Sequence, residues 1–407
     1  MKTVIISIGN EITSGHVINS NAVWMAKALE PYGITPDRIL ALRDDEKTLA
    51  VEIRSALKKY ELVLITGGLG PTHDDVTKPV LVKVFKTKLI RDKKTLAMVK
   101  ACFDKLGVDM PAINEGQADV PKGAKILPNK WGTAPGLFFK TDVCLLFALP
   151  GVPYEMKNLM TAEVLPQIKK RAKGGAVARV LLRTIGVGES ALSEKIDNLG
   201  PLGDDLEMAY LPTMGMVDIR LTAKKRATIK RAEKKIMKVI APYYYGRDDD
   251  TPEKVIGDIL AEKKLKLASA ESCTGGQFSA KITSVPGASG YFLEGVVTYS
   301  NSAKTKRLGV KKMTMVRHGA VSSHVAKEMA QGICKTSGAD VGISCTGVAG
   351  PTGGTEEKPV GLVYIGLCLK GRAQVKEYRF GEDGRARNQA RTVRAMIKWL
   401  LKELSAI

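Results

Sequence analysis

The sequence predicts an α/β fold in which two αβα domains flank a small α+β module. Length is the first observation, because 407 residues at roughly 150 residues per domain correspond to two or three domains. The second is a series of short apolar runs that end at glycine or proline, such as Leu62–Ile65 before Thr66-Gly67-Gly68. The third is that helical patterns separate these runs, which is typical of parallel sheets covered on both faces.

The first predicted domain, residues 1–166, places a glycine-rich turn at the end of a strand. Val4–Ile8 and Val143–Leu149 are further apolar runs of strand length, and Asn21–Leu29 has the spacing of a helix. Ligands of such sheets bind at the carboxyl ends of the strands. The turn after Leu62–Ile65 is therefore the first place where the sequence predicts a binding site.

The small α+β module is predicted at residues 167–250. It opens with a Lys- and Gly-rich stretch after Pro166 and contains the strand candidates Val180–Ile185 and Val217–Thr222. A basic helix follows at about 224–238, with apolar residues at helical spacing, which is typical of a solvated helix with one buried face. The segment 246–250 is expected to be a linker.

The third predicted domain covers residues 251–407. Thr251 and Pro252 have the chemistry of an N-cap and a first-turn residue, so a new helix should begin there. The alternation of strands and helices then resumes. The predicted elements are strands at Leu265–Ala270, Val296–Tyr299, Val341–Ser344 and Leu362–Leu369, and a closing helix at Thr392–Leu404.

Composition narrows the class of protein. Apolar residues make up 44% of the chain, charged residues 26% and aromatic residues 5%, which excludes wholesale disorder and nucleic-acid binding by aromatic stacking. No membrane-spanning run or signal peptide is evident, so we expect a cytoplasmic protein with no membrane partner. The six cysteines lack metal spacing. The net charge of +21, spread along the chain, would attract phosphorylated metabolites as well as nucleic acid.

Ser272 is the first candidate for catalysis. It follows a predicted buried strand and precedes Cys273–Gly276, so its hydroxyl should lie at a strand-to-helix turn near backbone N–H groups. A serine nucleophile needs a base. His318 and His324 lie in a distant polar stretch, whereas a buried Lys304 could serve, because burial lowers the pKa of an amine. From these residues alone, catalysis and simple ligand binding both stay open.

A second candidate site is the glycine-rich segment Gly67–Gly70 and the acidic residues after it. Successive glycines free backbone N–H groups to bind anionic oxygens. The adjacent carboxylates Asp74 and Asp75 would suit a divalent ion between them and a phosphate, and Asp44 and Asp45 could complete the site. The alternative is that Asp74 only caps a helix.

Several motifs occur in order within residues 251–407. They lie at Ala270–Gly276, Gly295–Asn301 with Lys304, His318–Ser322, Thr346–Gly354 and Lys358–Gly361. Together they resemble the nicotinamide-mononucleotide deamidase domain of the competence/damage-inducible protein A (CinA) family. The resemblance implies hydrolysis of the carboxamide of nicotinamide mononucleotide to nicotinic acid mononucleotide and ammonia, with no cofactor.

On this resemblance Ser272 is the nucleophile, Lys304 its general base and Tyr299 a hydroxyl that orients or relays a proton. Cys273 is the rival nucleophile. Arg387 is expected to meet the substrate phosphate, with Arg385 as the alternative because segment 380–387 is about one residue short of the family pattern. Other residues expected to bind the substrate are Thr274, Gly275, Gly276, Thr346, Gly347, Gly350, Gly353 and Gly354.

A second set of motifs lies in the first domain and extends to Gly186–Ser190 in the module. These motifs are at Ser7–Gly15, Asn19–Asn21, Gly67–Thr77, Asn114–Ala118, Asn129–Gly136 and Leu149–Met156. They are similar to the amino-terminal domain of the same family, which has the fold of molybdopterin-binding proteins. The resemblance implies a divalent-metal-dependent pyrophosphatase that cuts ADP-ribose to AMP and ribose 5-phosphate.

The same resemblance implies a metal site and a substrate site. Asp74 and Asp75 are expected to act in catalysis, and Mg²⁺, Mn²⁺ or Co²⁺ would be held by Glu11, Asp44, Asp74 and Asp75. The family often has Asp where this chain has Asn10, which weakens a metal role at position 10. The residues expected to bind this substrate are Gly67, Gly68, Gly70, Thr72, Asn114, Gly132 and Thr133.

Three classes of function follow from the sequence. The first is a bifunctional hydrolase of NAD-derived nucleotides, with these small molecules as its partners. The second is a molybdopterin-type binding protein, and the third is a competence factor that acts on nucleic acid. Because no base-reading motif is present, nucleic acid is disfavoured as a partner. The resemblance also implies a homodimer.

Overall fold

The computed structural model describes residues 1–171, 178–213 and 215–407. The chain divides into two compact units, Met1–Val177 and Ala178–Ile407. Part of the predicted Lys- and Gly-rich stretch, residues 172–177, lies outside the described residues. Within those residues, no helix is long and apolar enough to cross a membrane.

The first unit contains a mixed β-sheet. The strands of the sheet are β1 (Thr3–Ile8), β2 (Arg38–Leu42), β3 (Leu62–Thr66), β6 (Lys125–Leu127), β7 (Gly136–Lys140) and β8 (Leu145–Leu149). Two short strands, β4 (Leu89–Arg91) and β5 (Asp119–Pro121), form a separate antiparallel pair. The main sheet has the order β2-β1-β3-β8-β7-β6. Strands β2, β1, β3 and β8 are parallel, whereas β7 pairs antiparallel with β8 and β6 pairs antiparallel with β7. The prediction of a parallel sheet is thus correct for its central strands and wrong at one edge.

Helices cover both faces of this sheet. They are α1 (Asn10–Thr13), α2 (Ser20–Leu29), α3 (Glu46–Lys59), α4 (Thr77–Phe85), α5 (Lys93–Leu106), α6 (Pro153–Leu159) and α7 (Leu165–Arg171). Leu49 and Leu81 pack into one core, and Met25 and Met156 into another. These two cores account for the predicted three layers. Helix α7 crosses the boundary that we predict at residue 166.

The second unit begins with an antiparallel sheet backed by two helices. Its elements are β9 (Ala178–Ile185), α8 (Glu189–Asp197), β10 (Glu207–Thr213), β11 (Met216–Ala223), α9 (Arg226–Ile240) and β12 (Tyr244–Arg247). The strand order is β10-β11-β9-β12. Ile229, Ile236 and Ile240 of α9 are buried, which confirms the basic helix with one apolar face. The linker expected from residue 246 is wrong at its start, because Gly246 and Arg247 pair with β9.

The rest of the second unit is a layered α/β domain. Its elements are α10 (Pro252–Glu262), β13 (Leu267–Glu271), α11 (Gln277–Thr283), β14 (Phe292–Val297), α12 (Asn301–Leu308), α13 (Lys312–His318), α14 (Ser323–Ser337), β15 (Val341–Gly347), β16 (Leu362–Leu369), β17 (Arg372–Arg379) and α15 (Arg385–Ser405). The sheet order is β14-β13-β15-β16-β17, with β14, β13 and β15 parallel. The start signal at Thr251 is confirmed, because its hydroxyl accepts from the Lys254 amide at 3.2 Å. The strand predicted to reach Tyr299 ends at Val297.

Candidate functional site

The loop after β13 and the helix α12 bring Ser272 and Lys304 together. Nζ of Lys304 lies 3.0 Å from Oγ of Ser272, and it donates to the main-chain carbonyls of Thr298 at 2.8 Å and Tyr299 at 3.3 Å. Lys304 is 2% exposed and Ser272 8% exposed. In a neutral amine, two N–H groups would be used by these carbonyls. The remaining lone pair would then accept from the Ser272 hydroxyl, which is the arrangement of a nucleophile and its base.

The charge state of Lys304 follows from its surroundings. Burial lowers the pKa of Lys304 from its usual 10.5, because an ammonium loses solvation in the interior, and the nearby thiols of Cys273 and Cys345 oppose this only in part. Burial therefore shifts Lys304 toward the neutral amine, the form that can take a proton from serine.

Cys273, the rival nucleophile, lies in a less reactive environment. Its side chain is 5% exposed. A hydrogen bond with Cys345, together with burial, raises the pKa of the Cys273 thiol well above its usual value. Because the thiolate is the reactive form of cysteine, these features favour Ser272 over Cys273.

Glu271 organises this loop, a role that was not predicted from the sequence. Its buried carboxylate accepts from the amides of Gly276 (3.1 Å), Phe278 (3.0 Å) and Ser279 (2.8 Å), and from the hydroxyls of Thr274 (2.6 Å) and Ser279 (2.6 Å). A carboxylate at the end of β13 thus caps helix α11. A carboxylate directly after the predicted buried strand Leu265–Ala270 is the sequence signal that could have revealed it.

The hydrogen bonds of Glu271 change the expected oxyanion site. Besides the amides bound to Glu271, the Gly275 amide donates to the Ser272 carbonyl at 3.2 Å and the Gln277 amide to the Thr274 carbonyl at 3.4 Å. These amides at the start of α11 are therefore already bonded and are not available to stabilise an oxyanion. Among the described residues, the amides of Cys273 and Thr274 have no hydrogen-bond acceptor in another residue. They are the candidates to stabilise an oxyanion formed at Ser272.

Glu271→Gln should destabilise the second unit and slow the reaction at Ser272. The side-chain amide of glutamine would point its NH₂ group at hydrogen-bond donors. The loss of the charge-assisted bonds should lower the free energy of unfolding by on the order of 3 kcal/mol. Calorimetry of the full chain should show a lower Tm for the transition of the second unit. Glu294→Gln, at an exposed position on β14, is the matched control. Equal Tm values for the two variants would contradict the capping role of Glu271.

Tyr299 and Arg385 form the outer part of this site. The Tyr299 hydroxyl accepts from the Arg385 guanidinium at 2.8 Å, and Arg385 also donates to the Gly350 carbonyl at 3.2 Å. Tyr299 thus reaches Lys304 through its carbonyl and Arg385 through its hydroxyl. Arg387 is exposed on α15, and among the described residues it has no hydrogen bond or ion pair. The geometry therefore favours Arg385, the alternative, as the arginine nearer to the site.

The other predicted substrate residues of this domain lie on neighbouring loops. The Thr346 hydroxyl donates to the Ala320 carbonyl at 2.8 Å, and the Thr274 hydroxyl is bound by Glu271. Gly275 (φ 64°) and Gly276 (φ 98°) adopt left-handed conformations that favour glycine. Asn388, which the sequence analysis missed, binds the carbonyls of Ala349 and Gly381. Gly347 ends β15, and Gly350, Gly353 and Gly354 follow in the next loop.

The first unit contains a pocket of about 460 Å³ at the carboxyl ends of β1, β3 and β8. This is the position predicted for a ligand of an α/β sheet. Predicted residues that line it are Glu11, Asp44, Gly67, Gly68, Gly70, Asp74, Asp75 and Thr133. Gly67 (φ 106°) needs to be glycine, because a Cβ there would lie 2.1 Å from the Ile8 carbonyl oxygen.

Asp75 holds the glycine-rich loop in place. Its carboxylate accepts from the amides of Gly70 (2.8 Å) and Thr72 (2.9 Å) and from the Thr72 hydroxyl (2.6 Å). Thr72 therefore supports Asp75 and does not line the pocket. Asp74 does not cap α4, whose N-cap residue is Val76, without a side-chain cap. Asp45 is a helix cap instead, because it accepts from the Thr48 amide at 2.8 Å.

The other acidic residues of the pocket repel one another. Burial raises the pKa of Asp44, and the charges of Glu11 and Asp74 add to the effect, although a hydrogen bond from the Asn10 amide opposes it. Within residues 1–171, 178–213 and 215–407, no three His, Cys, Asp or Glu side chains are grouped closely enough to hold a metal ion. Mg²⁺ commonly needs one or two carboxylates and completes its shell with water and substrate phosphates. The carboxylate oxygens of Glu11, Asp44 and Asp74 fit a site in which the protein and the substrate share the coordination of the metal.

Besides Thr72, the predicted residues Asn114 and Gly132 lie outside this pocket, and polar residues without a predicted role line it, among them Glu155 and Asn21. Asn114 binds the Gln117 side chain at 3.2 Å, and Gly132 packs against Glu155, where a Cβ would lie 2.0 Å from Cδ. Glu155 lines the pocket, and burial raises its pKa. Asn21 also lines it, and the buried Oδ1 atom of Asn21 has no hydrogen-bond partner among the described residues. Both belong to motifs noted in the sequence, but only the fold shows that they meet.

Comparisons with known protein families match each part of the chain. Residues 4–170 match the family described as "Probable molybdopterin binding domain". Residues 179–246 match "Damage-inducible protein CinA KH domain", and residues 249–404 match "CinA C-terminal domain".

Similar proteins extend over nearly the whole chain. A protein of Caldicellulosiruptor saccharolyticus, named as competence-damage inducible, is 42% identical and covers 94% of both chains. A CinA-like protein of Kosmotoga olearia is 40% identical and covers 97% of both. A solved structure of the protein CinA from Thermoplasma acidophilum is 34% identical, with a TM-score of 0.38, and covers 41% of this chain and 97% of that one.

Proposed function

The chain belongs to the CinA family, and from this premise we propose that it is a bifunctional hydrolase of NAD-derived nucleotides. The second unit would hydrolyse the carboxamide of nicotinamide mononucleotide to nicotinic acid mononucleotide and ammonia. The observation that carries this proposal is the buried contact of 3.0 Å between Nζ of Lys304 and Oγ of Ser272.

The geometry supports a covalent mechanism. Oγ of Ser272 forms a bond to the carboxamide carbon while its proton moves to the neutral amine of Lys304. The amides of Cys273 and Thr274 would stabilise the resulting oxyanion. The C–N bond then breaks, and ammonia leaves with the proton that Lys304 returns. Water hydrolyses the ester at Ser272, with Lys304 again as the base, and releases nicotinic acid mononucleotide.

The substrate phosphate needs a cation near this site. Arg385 lies against Tyr299 and Gly350 and presents its guanidinium at the outer side of the loop. Guanidinium groups bind phosphate oxygens through two parallel hydrogen bonds. We therefore assign the phosphate to Arg385 and not to Arg387.

We propose that the pocket of the first unit cleaves the pyrophosphate of ADP-ribose to AMP and ribose 5-phosphate. A divalent metal, held by Asp44 and one of its neighbours Glu11 or Asp74 together with water and the substrate phosphates, would supply charge neutralisation at the pyrophosphate when bound. The Gly67 amide donates to the Leu149 carbonyl and the Gly70 amide to Asp75, so among the amides of Gly67, Gly68 and Gly70 the Gly68 amide is the candidate to bind a phosphate oxygen. Asp75 would keep this loop in place through Gly70 and Thr72.

Asp44→Asn should separate the metal role from folding. Removing one of three repelling carboxylates should leave the first unit folded, with a Tm at or above that of the wild type in the absence of metal. Mn²⁺ should raise the Tm of the wild type, because a ligand bound only by the folded state stabilises it, and should raise that of the variant much less. Asp104→Asn, at an exposed position on α5, is the control. An equal Mn²⁺ shift in all three proteins would contradict the metal site.

Product analysis separates the proposed function from its alternatives. The purified chain is incubated with nicotinamide mononucleotide and with ADP-ribose, each with and without divalent metal. We expect ammonia without metal and AMP only with metal. A molybdopterin-type binding protein would form no AMP. A nucleic-acid factor would instead bind DNA with a steep dependence on salt concentration.

A further inference from the structure

A second cavity lies within the Ala178–Ile407 unit, away from Ser272. Its volume is about 650 Å³, within the range of pockets that hold nucleotide-sized molecules. Strands β9, β11 and β12 form one side, and helices α10, α11 and α15 form the other. We call it the helix–sheet cavity. The proposed function uses none of its lining residues.

One part of the helix–sheet cavity is apolar. Ile185 and Met216 line it from the sheet, and Val393 and Ile397 line it from α15. The side chains of Ile185, Val393 and Ile397 are each no more than 6% exposed. A flat ring could pack against these side chains and gain the free energy of apolar burial.

Two charged side chains in the cavity have unused hydrogen-bonding capacity. Glu253 is only 14% exposed, and its nearest cation, Lys281, is 3.9 Å away, which is too long for a hydrogen bond. Arg394 is half-buried. Among the described residues, neither the Glu253 carboxylate nor the Arg394 guanidinium makes a hydrogen bond. The Glu253 charge acts on Arg394 and faces Lys281, but neither group gains a hydrogen bond from these interactions, so both favour a ligand that supplies hydrogen bonds.

Other charged groups of the cavity already have partners. Arg183 donates to Asp218 at 2.7 Å and to the Asp248 carbonyl at 2.7 Å. Asp250 accepts from Lys254 at 2.8 Å and from the Arg247 amide at 3.0 Å. Lys281, the remaining charged residue of the lining, is 61% exposed and lies 3.9 Å from Glu253. The more deeply placed groups that a ligand can use are therefore the Glu253 carboxylate and the Arg394 guanidinium beside an apolar wall.

We propose that the helix–sheet cavity binds a nucleotide whose base carries an exocyclic amine. The amine donates to the Glu253 carboxylate, which can only accept hydrogen bonds. The phosphate binds the Arg394 guanidinium, whose planar N–H groups suit phosphate oxygens. The base packs against the apolar wall formed by Ile185, Met216, Val393 and Ile397.

The cavity is linked to the nucleophile loop by a short chain of hydrogen bonds. Gln277 lines the cavity and donates to the Gln389 side chain at 3.1 Å, and Gln389 donates to the Cys273 carbonyl at 2.8 Å. Cys273 follows Ser272 directly. A bound nucleotide that contacts Gln277 should therefore change the kcat or KM of deamidation; this coupling rests on the proposed function.

Calorimetric titration of the full chain tests the binding site. AMP is the probe, inosine monophosphate is the matched ligand without the amine, and adenosine is the one without phosphate. Arg394→Met and Glu253→Gln should each weaken one AMP site by about tenfold or more, the effect of one charge-assisted hydrogen bond. Inosine monophosphate and adenosine should bind that site more weakly than AMP. Any binding in the first unit is common to all variants and cancels in the comparison.

The controls are Lys402→Met on α15 and Asp258→Asn on α10, both at exposed positions. They should titrate as the wild type does. If Arg394→Met and Glu253→Gln also titrate as the wild type, the binding site is refuted. Circular dichroism shows whether each variant is folded, and a titration of one folded variant, Arg394→Met or Glu253→Gln, is enough to test the binding site.

The coupling is tested by deamidation in the presence of AMP. AMP bound at this site with unchanged kcat and KM would refute the coupling. A chain that releases no ammonia would refute the proposed function, and the binding result would still stand.

Discussion

Ser272→Ala should abolish ammonia release from nicotinamide mononucleotide, with kcat at least about a thousandfold below that of the wild type. The substitution removes the atom that would form the covalent ester and leaves Lys304 held by the carbonyls of Thr298 and Tyr299. Little packing is lost, because only one oxygen is removed. A coupled assay for ammonia on the full chain measures the effect.

Two comparisons make this result specific. Cys273→Ala should retain deamidation, because the Cys273 thiol is buried and its raised pKa keeps it protonated. Cleavage of ADP-ribose should be unchanged in both variants, because the proposed pyrophosphatase lies in the other unit. If Ser272→Ala kept its turnover and Cys273→Ala lost it, Cys273 would be the nucleophile.

Deamidation should fall as the pH falls, along a limb set by Lys304. The neutral amine is the proposed base, and burial lowers the pKa of Lys304 below its usual 10.5. Below this lowered pKa the amine is protonated and cannot accept the serine proton, whereas above it kcat/KM reaches a plateau. The pH profile of kcat/KM, measured over the range in which the chain stays folded, gives the position of the limb.

Substitution of Lys304 tests whether this residue is the group whose titration produces the low-pH limb of the kcat/KM profile. Lys304→Met should lower kcat/KM by at least about a thousandfold and remove the limb, because no base remains beside Ser272. Lys306→Met, at an exposed position on the same helix, should leave both unchanged. An identical limb in the Lys304→Met variant would show that another group titrates.

Elements with strong local signals were predictable from the sequence. The strand at Leu362–Leu369 has the predicted bounds, and Thr251 caps a helix as its sequence indicates. β10, β12 and β17 were not predicted. They lie at sheet edges or mix polar and apolar residues, so tertiary pairing decides their conformation more than local propensity does.

The site of the second unit was predictable mainly through resemblance. The residues alone placed Ser272 at a strand end and offered Lys304 as a possible base, but they left catalysis and ligand binding open until the family motifs were considered. Glu271 was missed because nothing local in the sequence shows that five donors converge on one buried carboxylate. Because Glu271 binds the amides at the start of α11, the amides of Cys273 and Thr274 are the candidates to stabilise the oxyanion.

The site of the first unit was also predictable only in part from the sequence. The glycine-rich turn and the acidic residues were predicted, and the fold brings Glu11, Asp44 and Asp74 to one pocket. The sequence could not distinguish Asp44, which lines the pocket, from Asp45, which caps a helix. Adjacent residues on one turn point in different directions, and this is fixed only when the helix that follows is placed.

Partitioning with hydroxylamine tests the covalent step at Ser272 most directly. An ester on Ser272 would be attacked by hydroxylamine as well as by water, so the wild-type chain should convert part of its nicotinamide mononucleotide to the hydroxamate of nicotinic acid mononucleotide. Ser272→Ala should form none. A wild-type chain that turns over the amide at full rate in concentrated hydroxylamine, yet yields only the free acid, would contradict the account.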